Sequence, residues 1–204
     1  IRHYARNAGL LMEKGRTAEA QENLGKIDGL LEKTNRITGS LRDLARKPKR
    51  DLRRTDVVVV FDDVLTLLER RVNEYGIEVD VQIADSCRYV LAGQVRLEQV
   101  VLNLINNAID AMEDRPVRRL IVSARAVGKW IDLRVRDTGV GIGDEHLEKI
   151  FDPFFTTKQV GEGLGLGLSV SYNIIKDFGG TMRVESSQGN GTTFWLRLKS
   201  VPSM

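Results

Sequence analysis

The chain has 204 residues, 42% of them hydrophobic and 29% charged, with 19 Gly and 4 Pro, a profile that fits one or two globular domains and excludes a collagen-like or disordered chain. Its single cysteine, Cys87, rules out an intrachain disulfide and a Cys-cluster metal site and fits a reducing compartment. The net charge of +3 is uneven: 14 Lys+Arg against 8 Asp+Glu give +6 in residues 1–56, and 17 against 20 give −3 in residues 57–204.

The basic excess upstream is interspersed with acids at helical spacing and lacks aromatic residues between the charges, so it reads as a solvated helix face with no direct nucleic-acid role. No apolar stretch approaches the roughly 18–20 residues that cross a bilayer. The chain opens at Ile1 without a leader, which reads as part of a longer polypeptide.

A short apolar stripe at Ile1, Tyr4, Ala8 and Leu11 precedes Gly15-Arg16-Thr17, where Thr17 can cap a second helix. That helix, 17–46, carries Leu24, Ile27, Leu31, Ile37, Leu41 and Leu44, with Thr34 in the same stripe, at steps of three and four. Two helices with one narrow stripe each bury little, so residues 1–47 are expected to form a hairpin that pairs with a second copy. Pro48 within a run of Lys and Arg ends the helix, and 48–56 is expected to be a linker.

Downstream, the pattern predicts helices over 60–73 and 95–112, with a strand over 77–83 between them. A hairpin of strands 119–126 and 130–136 follows, then a helix over 165–178 ended by Gly179-Gly180, and closing strands over 181–186 and 192–198. Antiparallel hairpins separated by helices imply an α+β fold, a mostly antiparallel sheet with helices on one face.

Four clusters carry chemistry. Helix 95–112 holds Asn103, Asn106 and Asn107, poor residues mid-helix, with Asn103 and Asn107 one turn apart on one face. Amide oxygens suit Mg²⁺, which takes its other ligands from phosphates and water, although capping or solvent-facing amides would give the same pattern. Strand 130–136 runs into Asp137-Thr138-Gly139-Val140-Gly141, where a carboxylate at the mouth of a glycine turn can accept an amino group or bond its own backbone.

Gly161, Gly163, Gly165 and Gly167 stand at every second position before a helix, a place where bare N–H groups bind phosphate, although a flexible linker is also glycine-rich. The spacing is neither a Walker loop nor a Rossmann fingerprint. Half of the six Phe fall within 151–155, the anchor of a flap, and Lys158 beyond them can reach a phosphate or remain solvated.

In order, "NLINNAIDAM", "DTGVGI", "FDPFFTTK", "GLGLGLS" and "GNGTTFWLRL" resemble the N box, glycine boxes, F box and closing strand of the histidine kinase, gyrase and MutL superfamily with the Bergerat fold. The resemblance covers about residues 57–200 and implies an ATP-binding α/β sandwich. It implies that Asn107, with Asn103, holds Mg²⁺ against ATP and that Asp137 accepts the adenine amine. Gly139, Gly141, Ile142, Thr157, Gly163, Leu164, Gly165, Gly167 and Thr192 would contact nucleotide, with Asn103, Asn107 and Lys158 the catalytic group.

Hydrolytic members carry a glutamate four residues before the metal-binding Asn; this chain has Asn103 there, and an amide does not take a proton from water. The hairpin directly upstream is similar to that of sensor histidine kinases of the dicarboxylate-transport and nitrogen-regulation type. The resemblance therefore implies a protein-histidine kinase of the cytoplasm, the inner part of a membrane sensor anchored by upstream segments. It would act as a homodimer and pass phosphate to a response-regulator receiver domain.

His3, followed by Tyr4 and Ala5, lacks the context of the family's phosphoacceptor, which places the acceptor upstream of Ile1 and leaves this piece unable to phosphorylate itself. His146 reads as an exposed helical residue. An ATPase clamp, an anti-sigma-type serine kinase and a regulatory nucleotide-binding module are the competing functions.

Overall fold

The computed structural model describes residues 1–45, 52–158 and 164–202, the side chains of 32–33, 35–38 and 40–45 excepted. The chain divides into two units, Ile1–Arg46 and Lys47–Met204. Among the described residues, no helix is long and apolar enough to cross a membrane.

In the first unit, α1 (Arg2–Glu13) and α2 (Thr17–Ala45) form the expected hairpin. Thr17 is already inside α2: the Arg16 carbonyl accepts from Ala20 N–H at 3.1 Å and so holds the cap position. The contact between the helices is small, with Ala8, Leu11 and Ala20 buried beside Asn23. Leu24 and Leu31 are 49% and 45% exposed, so that part of the apolar stripe is uncovered within one chain. Ile37, Leu41 and Leu44 are among the side chains not described.

The second unit begins earlier than the sequence pattern implied. Residues 53–56, expected within a linker, form β1 (Arg53–Asp56), which pairs antiparallel with β3 (Tyr89–Ala92). A four-residue strand bearing Arg53, Arg54 and Asp56 has too little alternation to stand out, and it exists through its distant partner, with Thr55 donating to Ala92 O at 2.8 Å. Asp56 then caps α3 (Val57–Glu74) by accepting from Val58 N–H at 3.0 Å. The helix therefore starts three residues before the expected 60, within a β-branched run.

The main sheet has the order β2-β4-β5-β7-β6, where the strands are Glu78–Gln82, Arg119–Val127, Trp130–Asp137, Thr192–Lys199 and Thr181–Ser186 respectively. Only β2 with β4 is parallel; the other pairs are antiparallel. Alternation sends Leu120, Val122, Leu133, Val135, Leu196 and Leu198 into the core, under α4 (Gln94–Ala111) and α6 (Gly167–Asp177). Arg134, Arg136 and Arg197 point to the opposite, solvated face. This is the expected layered α+β fold.

α4 is the central helix, burying Leu97, Val100, Val101, Leu104, Ile105 and Ile109 between α3, α6 and β5. Burying that stripe fixes the rotation of the helix, and with it the directions of its three asparagines.

Candidate nucleotide-binding site

A cleft of about 490 Å³ opens between the C-terminal half of α4, the turn after β5, the F-box stretch and the first turn of α6. Of the residues singled out from sequence, Asn107, Asp137, Gly141, Ile142, Thr157, Lys158 and Thr192 line it. Asn103, Gly139, Leu164, Gly165 and Gly167 do not line it, and Gly163 lies outside the described residues.

The three asparagines face three ways. Asn106 turns to α3, accepting from Arg71 Nη1 while its own amide donates to Leu102 O at 2.9 Å. Asn103 turns to α6: its Nδ2 donates to Ser171 Oγ at 3.1 Å, and a Cβ at Gly167 would come within 2.2 Å of its Oδ1. Through these contacts its amide joins α4 to the start of α6. Of the three, Asn107 alone lines the cleft, and no hydrogen bond ties its side-chain amide to another described residue.

Asp137 ends β5 and is 5% exposed. Its Oδ1 accepts from Gly139 N–H at 2.8 Å and from Thr192 N–H at 3.2 Å. Two backbone donors pin that oxygen, leaving Oδ2 for a ligand. Burial outweighs these hydrogen bonds and pushes the carboxyl up from its ordinary 3.8 to about 6.

The turn after Asp137 is sewn to the β6–β7 turn. Gly141 has φ +72°, and a Cβ there would lie 2.1 Å from Ser187 O, so both the backbone conformation and the space demand glycine. Ile142 N–H donates to Ser186 Oγ at 2.8 Å, and that hydroxyl also meets Thr192 Oγ1 at 3.0 Å. Ser186 is a supporting residue that sequence reading missed; a lone Ser ending a strand carries no signal.

On the other side, α6 starts without a side-chain cap at Leu166, and Leu168 of its first turn lines the cleft. Uncapped N–H groups at that end suit an anion. The F-box phenylalanines anchor the intervening segment, Phe151 packing on Tyr172 at 5.1 Å and Phe155 on His146 at 5.5 Å between ring centroids. His146, read from sequence as an exposed helical residue, therefore sits on the cleft wall at the short helix α5 (Asp144–Leu147).

Lys158 ends the F box and pairs with Asp110. Asp110 also accepts from Arg71 Nη2 at 2.8 Å. Burial works to raise its pKa, but hydrogen bonds from Lys158 and then Arg71 outweigh it and hold the carboxyl below the usual range.

No group of three His, Cys, Asp or Glu among the described residues could hold a metal alone. One neutral amide oxygen at Asn107 instead fits a hard cation that arrives with phosphate oxygens and water. A buried carboxylate, a glycine turn, a lone amide, a lysine and an uncapped helix start border one cleft, a combination suited to a nucleotide.

Residues 92–202 match the family described as Histidine kinase-, DNA gyrase B-, and HSP90-like ATPase, and the chain belongs to that family. It is 37% identical over 199 residues to the C4-dicarboxylate transport sensor protein DctB of Rhizobium meliloti (strain 1021), covering 98% of this chain and 32% of that protein. It is 36% identical over 167 residues to the sensor histidine kinase ZraS of Escherichia coli (strain K12), covering 82% of this chain and 35% of that one. The chain spans about a third of the length of these relatives.

Among solved structures, full-length ShkA in complex with AMPPNP superposes with a TM-score of 0.75 at 26% identity, covering 94% of this chain and 40% of that one. The nucleotide-free catalytic domain of the histidine kinase ThkA gives 0.66 at 29%, covering 74% and 99%. The second unit is thus a catalytic domain of the sensor histidine kinase type.

Proposed function

We propose that this chain is the ATP-binding catalytic part of a two-component sensor kinase, joined to part of its dimerisation hairpin. The kinase transfers the γ-phosphoryl group of ATP to a histidine outside these 204 residues, and that histidine passes it to an aspartate of a response-regulator receiver domain. The observation that carries the reading is Asp137, a buried carboxylate with one oxygen pinned by two backbone N–H groups and the other left for an adenine amine.

The chain's contribution is positioning and charge neutralisation. Asp137 holds the base, Gly139, Gly141, Ile142 and Thr192 shape the wall around it, and Thr157, Leu164, Gly165 and Gly167 border the phosphates at the start of α6. Lys158 brings an ammonium to the γ-phosphate. Mg²⁺, held by Asn107 and phosphate oxygens, would offset the charge of the triphosphate. The acceptor imidazole nitrogen bonds to the γ-phosphorus as the bond to the bridging oxygen breaks, and ADP leaves.

An amide at position 103, occupied with Ser171, offers no base for water, which favours a kinase over a hydrolytic clamp. The uncovered Leu24 and Leu31 of the hairpin fit pairing with a second copy. The proposed location is the cytoplasm, with membrane contact only through segments outside these residues.

The test follows the γ-phosphate: the chain is incubated with labelled ATP, with and without a separately made helix carrying the acceptor histidine. Acid-labile, base-stable label on the added helix with little free phosphate is the expected result. Rapid release of free phosphate with no protein label would establish the hydrolytic alternative instead.

A further inference from the structure

The Asp110 carboxylate is where three elements meet on the cleft wall. It lies three residues after Asn107 on α4 and faces the cleft with it. It is gripped from behind by Arg71 of α3 and from in front by Lys158.

These two cations are held unequally. The Arg71 guanidinium spans Asp110 and Asn106 with separate N–H groups, so two acceptors on one helix face fix its plane. Lys158 is a compact charge on a flexible stem, and Asp110 is the one acceptor its ammonium has among the described residues. Its side chain is 35% exposed and that of Asp110 34%, so an entering anion reaches the pair. A polyphosphate offers several charged oxygens where Asp110 offers one, and Arg71 remains to neutralise the carboxylate once the lysine leaves.

We propose that Asp110, clamped by Arg71, is a positioning residue that holds Lys158 on the cleft wall and competes with the polyphosphate of a nucleoside triphosphate for its ammonium. The proposal rests on the nucleotide reading above. Asp110 thereby sets the affinity for triphosphate relative to monophosphate, since only a ligand reaching Lys158 must displace it from the carboxylate.

The affinities of a non-hydrolysable ATP analogue and of AMP are measured calorimetrically for the wild type, Asp110→Asn, Lys158→Met and the double variant. Removing the competitor tightens the analogue about three- to fivefold, the scale of one partly exposed ion pair, and leaves AMP unchanged. Lys158→Met weakens the analogue, and in the double variant the gain from Asp110→Asn disappears. A structural role for Asp110 would instead shift both ligands together.

Unchanged or weaker analogue binding by Asp110→Asn overturns the proposal, as does a gain that persists without Lys158. Wild type that binds neither ligand would overturn the nucleotide reading itself, a separate failure. A readout that needs no variant is the ¹⁵N signal of the Lys158 ammonium, which shifts with the analogue and not with AMP; a signal unmoved by both while calorimetry reports binding also overturns the idea.

Discussion

Two aspartates line one cleft and are held in opposite ways. Asp137 is buried and held by backbone N–H groups, among them those of Gly139 and Thr192. Asp110 is a third exposed and sits between two cationic side chains. Burial raises the pKa of the first to about 6, and ion pairing lowers that of the second. Backbone donors cannot leave without unfolding the turn, so Asp137 is a fixed acceptor whose charge is costly. Side chains can exchange partners, so Asp110 is a stable charge in a changeable contact. In the proposed reading the base end of the site is therefore fixed, and the phosphate end rests on side chains that can exchange partners.

The contrast breaks first at Asp137. Its folded pKa lies above its ordinary 3.8, so the folded state binds the proton more tightly. The stability this contributes is present below 3.8 and lost as pH rises through about 6. The rise is worth about 3 kcal/mol against folding at neutral pH. Asp137→Asn removes the charge and keeps the shape. We expect it to raise stability in urea by about 1–3 kcal/mol at pH 7.5, with the gain vanishing near pH 4. The same variant should lose on the order of tenfold to a hundredfold in adenine nucleotide affinity, because an amide meets the adenine amine with a donor. A variant as unstable as it is inactive would remove the buried-charge account.

A smaller effect is read from the pH dependence of binding. If the carboxylate is the form that accepts the adenine amine, affinity falls as pH drops through about 6, reaching roughly a tenfold loss at pH 5, where about a tenth of the group is ionised. AMP titrated against wild type and Asp137→Asn in parallel cancels the phosphate's own titration. Equal pH profiles for the two proteins would leave Asp137 without a role in the binding step.

What sequence could show divides along the same line. Asp137, Gly141 and Asn107 were legible because each breaks a local rule: a carboxylate opening a glycine turn, and an amide inside a helix. Alternation marked β4, β5, β6 and β7 as strands, while the order β2-β4-β5-β7-β6, with β7 between β5 and β6, had no local signal. By contrast, Asp110 looks like any polar residue on an amphipathic helix, and its partners are 39 positions before it and 48 after. β1 is charged and four residues long, so only its pairing with β3 reveals it. Asn103 was legible as unusual, but spacing alone, which puts it on the same face as Asn107, could not show that its amide packs against Gly167 and donates to Ser171 of α6.

The mildest test lies at Asp110. Its depressed pKa contributes stability that is present above the ordinary carboxylate value and lost as pH falls through the folded one. With side chains about a third exposed, solvent screening cuts this to under about 1 kcal/mol. Asp110→Asn should therefore lower stability slightly at pH 7, and 1 M salt should erase most of the difference. That sign is opposite to the one at Asp137, and so is the expected sign on triphosphate affinity: one aspartate trades stability for a fixed contact, and the other adds a little stability by occupying the lysine its ligand needs. A loss of several kcal/mol on Asp110→Asn would mean that Arg71 and Asp110 brace α3 on α4 as a structural joint, and the exchangeable half of the comparison would fall.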